Sequence, residues 1–165
     1  MEQSKIIKTL VENIRDIAIE KRLTISVAES VTSGNIQYAL TSVTGASNFF
    51  IGGVTTYNID QKVKLLNIRR HEADKCDCVS SNIANQMAVG CLDLFGSDLT
   101  IAITGYSEPH EAKNIDMPFC HYAIGYKGTV IKNDKIESIS KDRNISRELF
   151  TLRVIQKLYD AMRAL

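Results

Sequence analysis

The chain has 165 residues, 44% of them hydrophobic and 24% charged, with two prolines, no tryptophan and a formal net charge of +1. That length suits one globular domain over residues 1–165 with a real core. The balanced charge gives no general electrostatic case for nucleic acid or an anionic membrane as partner. No window approaches the roughly 20 apolar residues of a spanning helix. The opening Met1-Glu2-Gln3-Ser4-Lys5 is charged and runs into an amphipathic pattern, not a signal-peptide core, so a cytoplasmic location is expected. Cys76, Cys78, Cys91 and Cys120 read as ordinary thiols of a reducing compartment, since Cys76-Asp77-Cys78 is too close a pair for a C-x-x-C knuckle. His71, His110 and His121 lack ligand-like spacing, so no metal is expected.

Ile6, Ile7, Leu10, Val11, Ile14, Ile17 and Ala18 recur at helical spacing and predict a first helix from Ser4 to Arg22. The β-type run Thr24 to Ala28 follows and leads through Glu29-Ser30-Val31-Thr32-Ser33-Gly34 into a second helix, Asn35 to Val43. Phe49 to Tyr57 predicts a strand whose Gly52-Gly53 pair marks a bulge or a close backbone approach. Asn58 to Leu66 is a short helix with Asp60 in its first turn, where the helix dipole favours negative charge. Arg69 to Cys78 reads as a charged, irregular connection. A long helix capped by Ser80 or Ser81 then runs to Gly96.

Leu99 to Thr104 has the apolar run of a buried central strand. Gly105 to Pro118 is polar and aperiodic, the kind of long connection that is often functional. Phe119–Lys127 and Thr129–Ser140 predict a strand pair turning at Lys127-Gly128. A last helix starts near Asn144, with Leu149, Leu152, Ile155, Leu158, Tyr159 and Met162 on its apolar face. Strands alternating with helices imply an α/β fold, a three-layer α/β/α sandwich on a mixed, mostly parallel sheet with one late antiparallel strand.

The stretch Ala28 to Gly34 is the chemical focus of the sequence. A strand that turns into a helix through hydroxyl residues and a glycine offers backbone N–H groups to an anion or oxyanion. It also offers a serine that a base can activate. No histidine lies near Ser30 and the G-x-S-x-G surround is missing, so a lysine of lowered pKa is the better base, and Lys62 is the candidate. By residue type alone Ser30 is more often a helix cap, and Lys62 more often a solvated helix residue. Thr104-Gly105 ends the central strand, where ligands of open α/β sheets bind, though a plain turn is the alternative. Arg143 and Arg147 share a face and suit a phosphate, or else pair with Asp142 or Glu148.

The order A-E-S-x-T-x-G, then G-A-S-x-F-F-x-G-G-V-x-x-Y-N-x-x-x-K-x-x-L-L, a Val-Ser-x-x-x-A-x-x-M-A helix, a T-G strand end and a late D-R-x-x-x-R resembles one family. It is the C-terminal domain of the CinA proteins (competence/damage-inducible), which also occurs alone as nicotinamide-nucleotide amidohydrolase. The resemblance spans about Leu23 to Leu158. It implies hydrolysis of the carboxamide of nicotinamide mononucleotide to nicotinate mononucleotide and ammonia, without metal or other cofactor. Matched by motif, Ser30 would be the nucleophile and Lys62 its base, with Tyr57 beside them and Thr104 holding the serine or the substrate. Glu29, Thr32, Ser33, Gly34 and Gly105 would surround the substrate, and Arg143 with Arg147 would meet its phosphate. A homo-oligomer, at least a dimer, is also implied.

The chain departs from the family pattern twice. Ser33 stands where the family's E-S-C-T-G-G has glycine, a strained choice if the position needs φ > 0. Tyr106 to Asn114 replaces a glycine-rich loop and brings in Glu108 and Glu111. These departures keep two alternatives in view, an amidase with a changed substrate and a catalytically silent nucleotide-binding homologue.

Overall fold

The computed structural model describes residues 2–165. Helix α1 (Glu2–Lys21) buries Leu10, Val11, Ile14 and Ala18 and leaves Ile6 exposed. Strand β1 (Ile25–Glu29) is buried along its whole length. Helix α2 (Asn35–Leu40) stops three residues short of the expected Val43. Thr41 Oγ1 donates to Gln37 O and Tyr38 O, and Ser42 Oγ donates to Ala39 O. Hydroxyls that turn back on the last carbonyls compete with further helix.

Strand β2 (Phe50–Thr55) carries the glycine pair, which meets both expectations. Ile25 faces Phe50 while Ser26 faces Gly52, so Ile51 is an extra, bulged residue. A Cβ on Gly52 would lie 2.6 Å from the Phe95 ring. Helix α3 (Ile59–Leu66) is capped by Asn58, whose side chain accepts from Gln61 N at 2.9 Å. The connection expected to be irregular contains a six-residue helix, α4 (Arg70–Lys75). Its only buried residue is Ala73, so it leaves no apolar period in the sequence. Helix α5 (Ser81–Phe95) begins at the Ser80 cap and ends at Gly96, which has φ 62.

Strand β3 (Leu99–Tyr106) outruns its expected end, because its pairing with β4 (Phe119–Tyr126) continues to Tyr106↔Phe119. β5 (Thr129–Glu137) follows through Lys127 and Gly128, both at positive φ. Asp142 caps α6 (Arg143–Arg163) by accepting from Asn144 N and Ile145 N. The buried arc of α6 is rotated from the expected one: Phe150, Val154, Ile155, Leu158 and Met162 are inside, while Leu149 and Leu152 are half-buried. The arc must serve the sheet and α1 at once.

The sheet order is β2-β1-β3-β4-β5. β1 pairs in parallel with β2 and β3, and β4 runs against both β3 and β5. Only β4 therefore points the other way, which makes the sheet mixed as expected. α1, α2 and α6 cover one face over the larger apolar cluster, and α3, α4 and α5 cover the other. The chain thus forms a three-layer α/β/α sandwich. Strand order reverses around β1, and ligands of such sheets bind beyond the carboxyl ends at that crevice. Among the described residues no helix is long and apolar enough to cross a membrane.

Candidate active site

Ser30 follows the last residue of β1, and the chain must reverse there within a few residues to enter α2. Ser33 (φ 53) and Gly34 (φ 96) both adopt the left-handed conformation that this reversal requires. The serine at that φ carries the strain its sequence position suggested, about 1–2 kcal/mol for a residue with a Cβ. Glu29, expected at the substrate, is fully buried and turned onto its own chain. Its Oε2 accepts from Thr32 Oγ1 at 2.6 Å, Gly34 N at 3.0 Å and Ile36 N at 3.2 Å, and its Oε1 accepts from Gln37 N at 2.9 Å. An internal carboxylate therefore occupies the N-terminus of α2, where an outside anion was expected, and Thr32 and Gly34 serve that carboxylate. The N–H groups of Val31 and Thr32, immediately after Ser30, have no acceptor among the described residues.

Lys62 reaches Ser30 because β1 and β2 pair in parallel up to Glu29↔Thr55, with Thr56 N donating to Glu29 O at 2.9 Å. One helical turn into α3 then carries Lys62 back over that edge. Its Nζ donates to Ser30 Oγ at 2.9 Å and to Thr56 O at 2.7 Å. The residue is 2% exposed, and burial holds its pKa below the usual 10.5, with the neighbouring Cys78 and Asp77 pulling weakly the other way. The helix is fixed from behind, since a Cβ on Gly90 of α5 would stand 2.0 Å from Leu66 O. Only glycine allows α3 and α5 to approach this closely.

Thr104, expected to hold the serine or the substrate, is buried and donates to Cys78 O at 2.7 Å. It secures a strained segment, because Asp77 (φ 50) and Cys78 (φ 60) are consecutive left-handed residues with side chains. Cys78 N bonds to Ala73 O at 2.9 Å, which fixes the segment from the other side. Burial pushes the Cys78 thiol above its ordinary value, against the opposing pull of Lys62. Gly105 lies where a Cβ would meet Phe119 O at 2.3 Å, so its role is to let β3 and β4 approach.

Tyr57, Arg143 and Arg147 meet at the rim. Arg143 donates to Tyr57 Oη at 2.7 Å and pairs with Glu108. Arg147 donates to Val31 O at 3.1 Å and to Tyr57 Oη at 3.4 Å. The two arginines have neither of the acidic partners foreseen for them, Asp142 and Glu148. A cavity of about 380 Å³ lies between these groups, with Ser30, Lys62, Tyr57, Thr104, Gly105 and Arg143 on its walls. Asp77, Tyr106 and His110 also line it and were not among the expected residues. Nothing in the sequence marks the positive φ of Asp77, which sits in what reads as a solvated charge run.

The fold and this cavity define a class, a three-layer α/β/α domain with a buried serine–lysine contact at the carboxyl edge of its parallel strands. The family model for the CinA C-terminal domain matches residues 7–162, and the chain belongs to that family. "Protein MG115" of Mycoplasma genitalium is 38% identical over 140 residues, which is 84% of this chain and 87% of that protein. A "CinA-like protein" of Leptospira borgpetersenii is 32% identical over 92% of this chain but only 36% of its own length. The chain thus spans about a third of such longer relatives. The crystal structure of a CinA superfamily protein from Klebsiella pneumoniae superposes with a TM-score of 0.90 at 22% identity, covering 96% of this chain and 99% of that one. A CinA superfamily structure from Escherichia coli gives 0.82 at 25% identity, covering 94% and 90%.

Proposed function

We propose that this chain is a serine–lysine amidohydrolase acting on the carboxamide of a nicotinamide nucleotide, with nicotinamide mononucleotide as the first substrate to assay. The observation that carries the reading is the 2.9 Å contact between Ser30 Oγ and a buried Lys62 amine of lowered pKa. Once that amine is neutral, Ser30 donates its hydroxyl proton to Nζ, while an amine N–H keeps its bond to Thr56 O. Ser30 Oγ attacks the carboxamide carbon, and the free N–H groups of Val31 and Thr32 are the available donors for the oxyanion. This assignment replaces the N–H groups of α2, which Glu29 occupies. Lys62 then returns the proton to the departing nitrogen and ammonia leaves. Water, deprotonated by Lys62, attacks the acyl-serine, and Lys62 passes that proton to Ser30 Oγ as the acyl–oxygen bond breaks and the acid leaves as carboxylate.

Purified protein should release ammonia from nicotinamide mononucleotide, with kcat/KM rising with pH as Lys62 loses its proton. Ser30→Ala should abolish release without loss of the cooperative thermal transition. No turnover at high enzyme concentration refutes the reading. The replacement of the family's glycine-rich loop by Tyr106 to Asn114 favours a second reading, a nucleotide-binding domain without turnover. Calorimetric titration that finds binding without turnover would select it. The homo-oligomer belongs to the first reading on the family resemblance, and light scattering tests it.

A further inference from the structure

Beside the serine–lysine pair, the cavity has an acidic and aromatic wall that the reaction scheme does not use. Tyr106 donates its hydroxyl to Asp77 Oδ2 at 3.0 Å, and Lys113 Nζ bonds to the same oxygen. Lys113 Nζ also stands 5.3 Å from the centroid of the Tyr106 ring. A carboxylate oxygen and an aromatic face thus already hold an organic cation, one that the chain supplies from its own turn Glu111–Lys113. Asp77 Oδ1 has no hydrogen-bond partner among the described residues and remains open. Burial pushes the Asp77 carboxyl up, but the bonds from Lys113 and Tyr106 outweigh it and hold the group below its ordinary range. The other carboxylate on the wall, Glu108, is engaged by Arg143.

The Lys113 pair is half-exposed, at 36% and 48% for the two side chains. Exposed pairs of this kind contribute little and open readily. Asp77 and Tyr106 line the cavity and Lys113 does not, so a planar cation entering it would approach the carboxylate and the ring from the cavity side, with a face-on contact that an ammonium lacks. We propose that Asp77 and Tyr106 form a cation subsite that selects carboxamides carried on a positively charged ring, and that Lys113 competes for the Asp77 carboxylate when no such ligand is bound. The carboxamide part of this statement rests on the amidohydrolase reading, whereas the charge preference rests on the Asp77–Tyr106–Lys113 cluster alone.

Two probes separate the charge from everything else: nicotinamide and its ring-N-methylated cation, titrated calorimetrically into the wild type, Asp77→Asn and Lys113→Met. Asparagine tolerates the left-handed backbone, so Asp77→Asn removes the charge while keeping the turn, and thermal melting checks that it folds. The wild type should bind the cation about tenfold more tightly than the neutral amide. Asp77→Asn should erase that preference and Lys113→Met should enlarge it. Equal wild-type affinities, a preference that survives Asp77→Asn, weaker cation binding by Lys113→Met, or no cation binding at millimolar concentration each overturns the subsite. Ammonia release from nicotinamide mononucleotide is followed in the same samples. Cation preference without turnover would defeat the amidohydrolase reading and keep the subsite, and turnover without preference would do the reverse.

Discussion

Replacing Lys62 with methionine isolates the energetic consequence of burying an amine beside a serine. The substitution keeps the length of the side chain and removes its bonds to Ser30 Oγ and Thr56 O, at 2.9 and 2.7 Å. Each bond is worth roughly 0.5–1.5 kcal/mol net, and the removed desolvation cost offsets much of that, so total stability near neutral pH changes little. The pH dependence changes more. Burial lowers the folded-state pKa below 10.5, so between the lowered value and 10.5 the unfolded chain binds a proton that the folded chain does not. Stability must then rise with pH through that window, at up to about 1.4 kcal/mol per pH unit, and must be lost as pH falls until the folded pKa is reached. Lys62→Met has no such window. Urea unfolding of both proteins from pH 7 to 10 under reducing conditions gives the difference, in which the four shared thiols largely cancel. A wild-type advantage that grows with pH is expected. A difference that stays constant over the range refutes the view of Lys62 as a desolvated amine with a lowered pKa.

Three further substitutions test the supporting structure. Glu29→Gln puts an amide donor against the N–H groups that Glu29 now satisfies, and should cost about 2–4 kcal/mol, a fall in Tm of roughly 5–15 °C. A Tm within a degree of wild type would mean that the carboxylate is dispensable to the turn. Ser33→Gly relieves a left-handed serine and should stabilise by up to about 1 kcal/mol after the extra freedom of glycine in the unfolded chain is charged against it. Loss of stability in chemical denaturation would show that the serine is not strained. Gly90→Ala drives a Cβ into Leu66 O and should cost about 3 kcal/mol or more while lowering activity through α3. Unchanged melting and turnover would remove Gly90 from the account.

The layer order and most elements were legible because their signals are strong and local. Ser80 and Gly96 bracket α5, Gly52-Gly53 marks the bulge, and the uninterrupted apolar run of β3 marks a strand covered on both faces. The proximity of Ser30 and Lys62 was an inference from parallel neighbours, and it follows from the pairing of β1 with β2. What was not legible depends on where polar groups are spent. Glu29 in a serine turn reads as a substrate ligand until its four donors are counted, and the bond from Thr104, on the cavity wall, to Cys78 O has no signal in the sequence. Asp77 was hidden because, unlike Ser33, it stands at no position that the quoted motifs assign to glycine. The six-residue α4 was hidden because one buried alanine makes no period.

The internal carboxylate of the nucleophile turn has a consequence for how this site tolerates change. Every partner of the Glu29 carboxylate lies within eight residues of it in the chain. The turn that presents the serine is therefore held largely by contacts that form locally, to which Arg147 of α6 adds one bond at Val31 O. Residues of the cavity mouth that do not touch this turn, such as Glu108, can be exchanged without breaking those bonds. Grafted onto another parallel strand end with its following helix, residues 29–37 should keep their shape, whereas the lysine would have to be supplied anew by the neighbouring strand.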